Sequence, residues 1–139
     1  MTTVTDVMTR NVRTLSPSST IADAAMAMEE LDVGVIPVCE GDKLLGLVTD
    51  RDIVVRAVAQ GLGGDTPLSK VMSTDIRSAR ADDDLDTVLA DMASSQIRRL
   101  PVLDGEERLI GIISIGDIAL KGQDEEDVGQ SLGEISAPA

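Results

Sequence analysis

The sequence predicts a mixed α/β (α+β) protein built from two β-α-β-β-α units, and three observations lead there. First, the chain overlays itself. "DVMTRNVRTL" from Asp6 lies over "KVMSTDIRSA" from Lys70, and "VIPVCEGDKLLGLVTDRDI" lies over "RLPVLDGEERLIGIISIGDI"; self-similarity at a fixed offset marks a repeat architecture. Second, Pro37 falls on Pro101 at an offset of 64 and Asp52 on Asp117 at 65, so one residue is inserted in the turn between them. Third, short β-branched runs alternate with stretches of helical period in the same order in both copies.

In the first copy, Val12 to Leu15 reads as a short extended segment closed by "SPSS", where Pro17 blocks further strand pairing. Thr20 followed by Asp23 has the form of a capping box, and Ile21, Ala25 and Met28 recur at helical spacing up to Leu31. "VGVIPV" at 33–38 is a strand, "EGDK" a hairpin turn and "LLGLVT" at 44–49 the next strand. Residues 50–60 then read as a helix with Ile53, Val54 and Val58 inward and Gly61 as its stop.

The second copy repeats this order. "DIRSA" is extended, and "DDDLDTVLADMASSQ" is a helix with acids at its N-terminus, where the dipole favours them. "RLPVL", "DGEER" and "LIGIIS" make strand, turn and strand, and "GDIALKG" a short last helix. The predicted units are residues 1–66 and 67–122. Residues 123–139 are acidic and poor in large apolar residues, and read as a flexible tail with room for a short helix near Val128 and Leu132.

Composition narrows the chemistry. The chain has 139 residues with 42% hydrophobic content, enough for a core, but each half alone is marginal in size. Twelve basic against 25 acidic residues give a net charge of −13, which repels nucleic acid and anionic membranes. Without a spanning apolar run or a signal-peptide pattern, the protein reads as cytoplasmic. There is no His and one cysteine, Cys39, read as a small core or strand-end residue. Neither a metal site nor a nucleophile-base pair can be assembled by spacing, and the runs Asp82-Asp83-Asp84 and Asp124-Glu125-Glu126-Asp127 read as solvated surface. No catalytic residue and no required cofactor are expected. Phe, Tyr and Trp are absent, so a bound base would lie between aliphatic side chains.

The junction "GLVTDRDI" at 46–53, echoed by "GIISIGDI" at 111–118, is where chemistry concentrates. A strand ending in Thr49 at a helix start presents a hydroxyl and free backbone N–H groups, which suit a phosphate. Asp52, three residues on, can accept hydrogen bonds from two vicinal ribose hydroxyls. The same pair serves equally as a helix cap, and spacing alone leaves both readings open. Ser114 and Asp117 repeat the arrangement.

"VMT" and "VMS" opening the copies, a Pro-Val strand after each first helix, and the Gly-apolar-apolar-(Thr/Ser)-x-x-Asp ending together resemble a tandem pair of CBS domains, also called a Bateman module, over about residues 4–121. The resemblance implies two units packed sheet to sheet about a pseudo-twofold axis. It also implies two clefts that bind adenosine compounds such as AMP, ADP, ATP or S-adenosylmethionine, and a homodimer formed through helices, for which the small residues of "ADAAMAM" leave room. By this resemblance the first cleft joins Thr49, Asp52, Leu47 and Asp50 to Ile97, Arg98, Arg99 and Pro101. The second joins Ser114, Asp117 and Ile112 to Val33, Gly34, Val35 and Pro37. Leu47 with Ile97, and Ile112 with Val33, are candidate walls for the base or else ordinary core. Arg51 is placed either for a phosphate or for a carboxylate. Arg98 and Arg99 favour the first cleft for a phosphorylated ligand; the uncharged second cleft is empty, weaker, or suited to a less charged adenosine compound.

The function expected is a non-catalytic sensor whose adenine nucleotide acts as a regulatory ligand and whose changed shape is read by a protein target the sequence does not identify. The alternative is an interaction or assembly module with non-functional clefts.

Overall fold

The route taken by the opening segment of each repeat organises the structure. The computed structural model describes residues 2–121, which form two compact units: Arg13–Ile76, and residues 2–12 together with 77–121. The repeats predicted at 1–66 and 67–122 thus exchange their opening segments, residues 2–9 packing with the second copy and 66–73 with the first. The predicted tail, with its short helix near Val128 and Leu132, lies outside the described residues.

In the contiguous unit, Leu15 bridges Val38 in parallel, and helix α2 (Ile21–Leu31) follows a Thr20 cap that forms the expected box, Asp23 N–H donating to Thr20 Oγ1 at 3.1 Å and Thr20 N–H to Asp23 Oδ2 at 2.9 Å. (Helix α1, Val4–Val7, belongs to the other unit.) Strands β1 (Val35–Glu40) and β2 (Lys43–Thr49) pair antiparallel around a turn at Gly41, whose φ of 64° a glycine adopts without strain. Ile36, Val38 and Val48 meet Ile21, Ala24, Ala27 and Met28 in the core. Ala25, expected on the inner face of α2, is exposed; the buried stripe runs through Ala24 and Ala27 instead.

The helix expected over 50–60 differs more. It opens as a short α-turn, α3 (Asp50–Asp52), widens to a π-turn over Ile53–Ala57, and tightens to a 3₁₀ turn over Val58–Gln60 before Gly61 ends it at φ 76°. The extra residue in a π-turn rotates everything after it by about 100° relative to an α-helix. Ala57 therefore enters the core, while Val54 and Val58, expected inward, face solvent.

The discontinuous unit follows the same plan. β3 (Ala79–Arg80) lies parallel to β4 (Arg99–Leu103), which pairs antiparallel with β5 (Leu109–Ser114); α4 (Leu85–Ser95) and α5 (Ile115–Lys121) complete it. Val88, Leu89 and Met92 of α4 pack with Val102, Ile113 and Ile118, and with Val4 and Val7 of α1. No helix among the described residues is long and apolar enough to cross a membrane.

Each exchanged segment is held at two places. Near the helix start, Val4 N–H donates to Asp83 O and Leu85 N–H to Thr2 O; 64 residues on, Leu68 N–H donates to Ser19 O and Ile21 N–H to Thr66 O. Near the strand end, Thr9 and Ile112 exchange both backbone hydrogen bonds (2.8 and 3.0 Å), as do Ser73 and Leu47 (2.8 and 2.9 Å). Leu47 and Ile112 stand opposite Pro37 and Pro101, which have no N–H to offer, so their backbone groups point the other way and are satisfied by the crossing segment. The crossing is close. A Cβ at Gly46 would lie 2.6 Å from Ser73 O, and one at Gly111 would lie 2.7 Å from Thr9 O.

Gly46→Ala and Gly111→Ala should each therefore destabilise the fold by about 1–3 kcal/mol, the cost of forcing extra volume into a packed site. Gly105→Ala, where an added Cβ meets nothing within 4 Å, should stay within about 0.5 kcal/mol of wild type. Urea unfolding followed by circular dichroism reads all three.

Candidate functional site

Both junctions singled out from sequence fold as a strand-to-helix corner closed by a reciprocal cap. In the contiguous unit Asp52 N–H donates to Thr49 Oγ1 at 3.0 Å, and Thr49 N–H donates to Asp52 Oδ2 at 2.9 Å. In the other unit Asp117 N–H donates to Ser114 Oγ at 3.0 Å, and Ser114 N–H to Asp117 Oδ2 at 3.2 Å. The cap reading is thus realised at both corners. It does not exhaust either carboxylate, because an ionised carboxylate has about four acceptor positions and the cap uses one.

The remaining capacity is met differently in the two units. Asp52, its side chain only 14% exposed, has Arg56 Nε 3.7 Å from Oδ1, and the Arg56 guanidinium also reaches toward the carbonyls of Val71 (3.5 Å) and Met72 (3.4 Å). Asp117 instead receives the Thr9 hydroxyl, 3.4 and 3.3 Å from its two oxygens. Neither Arg56 nor Thr9 was found from sequence. The offset of 64 places Thr9 over Ser73, but it carries no information on which copy the opening segment packs against.

The free N–H groups expected at Thr49 for a phosphate are absent. Asp50 N–H donates to Gly34 O at 3.0 Å, Arg51 N–H to Asp50 Oδ1 at 2.8 Å, and Asp52 N–H to Thr49. The α-turn here is one turn long and its donors are spent within the chain, so an anion at this corner needs side-chain cations.

Strand register regroups the candidate residues within each unit. Thr49 stands opposite Val35, and Gly34 is small enough to leave room for the Asp50 carboxylate, 3.2 Å from where its Cβ would be. Leu47 stands opposite the buried Pro37. In the other unit Ser114 stands opposite Arg99, Ile115 N–H donates to Arg98 O at 2.9 Å, and Ile112 stands opposite the buried Pro101. Arg98 and Arg99, assigned from sequence to the cleft of Thr49 and Asp52, are therefore the strand neighbours of Ser114 and Asp117. Both are exposed and pair with no carboxylate among the described residues, although acids outnumber bases two to one. Arg51 is likewise exposed and unpaired there. Ile97 and Val33 pack against the cores of their own units, whereas Leu47 and Ile112 are half-buried outside them.

A profile of the CBS domain matches residues 4–58 and again 68–122. The chain belongs to the CBS-domain family. It is 45% identical to the CBS domain-containing protein YhcV of Bacillus subtilis over 98% of this chain and 96% of that protein. Among solved structures of CBS proteins, CBSX2 in complex with AMP superposes with a TM-score of 0.77 at 25% identity, covering 86% of this chain and 95% of the other. The CBS domain pair of protein MJ0100, in complex with 5′-methylthioadenosine and S-adenosyl-L-methionine, gives 0.74 at 26%, covering 86% and 94%. Among the described residues, no group of three or more Cys, Asp or Glu side chains is placed to hold a metal ion.

Cys39 is buried at the end of β1, and desolvation, then the Asp42 carboxylate, raises its thiol pKa above the ordinary value. Labelling by a thiol reagent at pH 8 should accordingly be slow in the native protein and fast in denaturant; equal rates would contradict the burial. Thr49→Ala, by deleting a cap, should cost about 1 kcal/mol of unfolding free energy in the absence of any ligand.

Proposed function

We propose that this CBS pair is a non-catalytic regulatory module that binds an adenosine compound and passes its occupancy to a protein partner through a change of conformation. The observation that carries the proposal is the twice-built corner, in which a capped carboxylate, held by its own backbone, keeps acceptor positions for a pair of vicinal hydroxyls. The AMP, 5′-methylthioadenosine and S-adenosyl-L-methionine bound by the two solved relatives have an adenosine or thioadenosine moiety in common, which supports this class of ligand.

The corners differ in charge, and the proposal follows that difference. Ser114 and Asp117, with Arg98 and Arg99 beside them on the neighbouring strand, suit a phosphorylated ligand, because a phosphate in a chain of net charge −13 requires local guanidinium groups. Thr49 and Asp52, beside the uncharged Gly34 and Val35, suit a less charged adenosine compound. Leu47 and Ile112 supply aliphatic surface for the base. The protein acts in the cytoplasm as a homodimer, and a ligand alters it only by its differential affinity for two arrangements.

A second reading, an assembly module with idle corners, draws on one observation: both carboxylates already serve as helix caps. Thermal unfolding with AMP and with adenosine, followed with an extrinsic dye since the chain has no aromatic residue, separates the two. A ligand at a hundred times its dissociation constant adds about 2.7 kcal/mol, a shift of several degrees. AMP should raise Tm in wild type, lose its effect in Asp117→Ala, and lose most of it in Arg98→Ala/Arg99→Ala. No shift with either compound would leave the assembly reading standing.

A further inference from the structure

The turn that leads into α2 is written in hydroxyls where its counterpart in the second copy is written in carboxylates. At the offset of 64, Ser18, Ser19 and Thr20 fall on Asp82, Asp83 and Asp84. The two turns make the same backbone hydrogen bonds. Ser19 N–H donates to Ser16 O and Asp83 N–H to Arg80 O, both at 3.0 Å, while Leu68 N–H donates to Ser19 O at 2.8 Å and Val4 N–H to Asp83 O at 3.2 Å.

One side-chain bond is shared as well. Ser16 N–H donates to Ser19 Oγ at 3.2 Å, and Arg80 N–H donates to Asp83 Oδ2 at 2.8 Å. The same turn therefore closes on a neutral hydroxyl in one copy and on a carboxylate in the other. Its backbone neither requires the charge nor forbids it. Asp82, Asp83 and Asp84 hold no ion pair among the described residues, so the second copy carries its charge here without a paired cation.

Two of the three hydroxyls are occupied by the fold. Ser19 closes the turn, and Thr20 caps α2 by accepting from Asp23 N–H; serine and threonine are ordinary at such positions. Ser18 is different. It is exposed, and among the described residues its hydroxyl meets only the hydroxyl of Ser16, at 2.9 Å. The surroundings also suit added negative charge. Ser69 N–H donates to Pro17 O at 3.0 Å, which sets Lys70 one residue from this turn, and Lys70 is exposed and pairs with no carboxylate among the described residues. The start of α2 contributes nothing to this, because the N–H groups of Ile21 and Ala22 already donate to Thr66 O and Gly64 O.

We propose that Ser18 is a phosphorylation site, at which a protein serine kinase converts the neutral turn of the first copy into the charged form that the second copy carries permanently. Ser18 Oγ forms a bond to the γ-phosphorus of a nucleoside triphosphate as the bond from that phosphorus to its bridging oxygen breaks. The nucleoside diphosphate leaves, and the hydroxyl proton passes to the base of the kinase. The product adds about two negative charges to the turn and leaves its backbone as it was. The inference is independent of whether either corner binds an adenosine compound.

The test has two arms. In the first, purified wild type and Ser18→Ala are incubated with γ-labelled ATP and an extract of the cells that make the protein, and the labelled residue is mapped by mass spectrometry. Wild type should carry phosphate on Ser18, and Ser18→Ala should lose that label. An unlabelled wild type, or phosphate mapped to another residue of the turn and kept in Ser18→Ala, overturns the site. In the second arm, thermal unfolding with an extrinsic dye compares Ser18→Asp and Asp82→Ser with wild type. Both should keep the wild-type Tm to within about two degrees, as surface substitutions do. A larger fall in Ser18→Asp shows that the turn refuses the charge and overturns the proposal.

Discussion

Everything else in this structure depends on two antiparallel crossings, Thr9 over Ile112 and Ser73 over Leu47. Each is only a pair of backbone hydrogen bonds, yet it accounts for three sequence features that had looked unrelated. The prolines at 37 and 101 are tolerated because the strand opposite directs its backbone groups away from them. The glycines at 46 and 111 are required because the crossing carbonyl occupies the space of a side chain. The Met-Thr and Met-Ser dipeptides recur because they are the crossing strands. Strand, helix and corner are then positioned as a consequence, for the corner begins two residues after the crossed position.

In the proposed function, structure and ligand chemistry use the same atoms at those corners. A carboxylate that caps its own helix start is fixed in direction before any ligand arrives, so little conformational freedom remains to be lost when hydroxyl groups bind to it. The surroundings of the two carboxylates differ. Arg56 offsets the charge of Asp52, whereas the hydroxyl of Thr9 leaves Asp117 with its full charge and Arg98 and Arg99 nearby.

Much of this was legible in the residues. The repeat, the order of elements, the capping boxes at Thr20 and Thr49 and the glycine stop at residue 61 follow from local rules that act within a few residues, and the structure agrees with them. The disagreements have one origin each. Val54 and Val58 were misplaced because a π-turn breaks the 3.6-residue period on which an inward-facing assignment rests. Ala25 was misplaced because small residues surround it, leaving the hydrophobic stripe of α2 ambiguous between two registers. Arg56 escaped notice although it lies only four residues after Asp52, because the helical reading of 50–60 assigned it no role, and Thr9 because it reaches Asp117 from a segment distant in sequence; that Arg99 stands opposite Ser114 is a matter of strand register, which spacing alone does not give.

The exchange of opening segments also sets an order of events in time. The unit Arg13–Ile76 is contiguous, so once it has left the ribosome every residue it needs is present and its contacts close over short spans of chain. The first dozen residues have no such opportunity. Their partners begin at residue 81 and end beyond residue 112, so α1 waits, its buried valines unsheltered, while the whole first unit and most of the second are synthesised. The contiguous unit can therefore close before residues 2–12, which are synthesised ahead of it, have any partner to pack against.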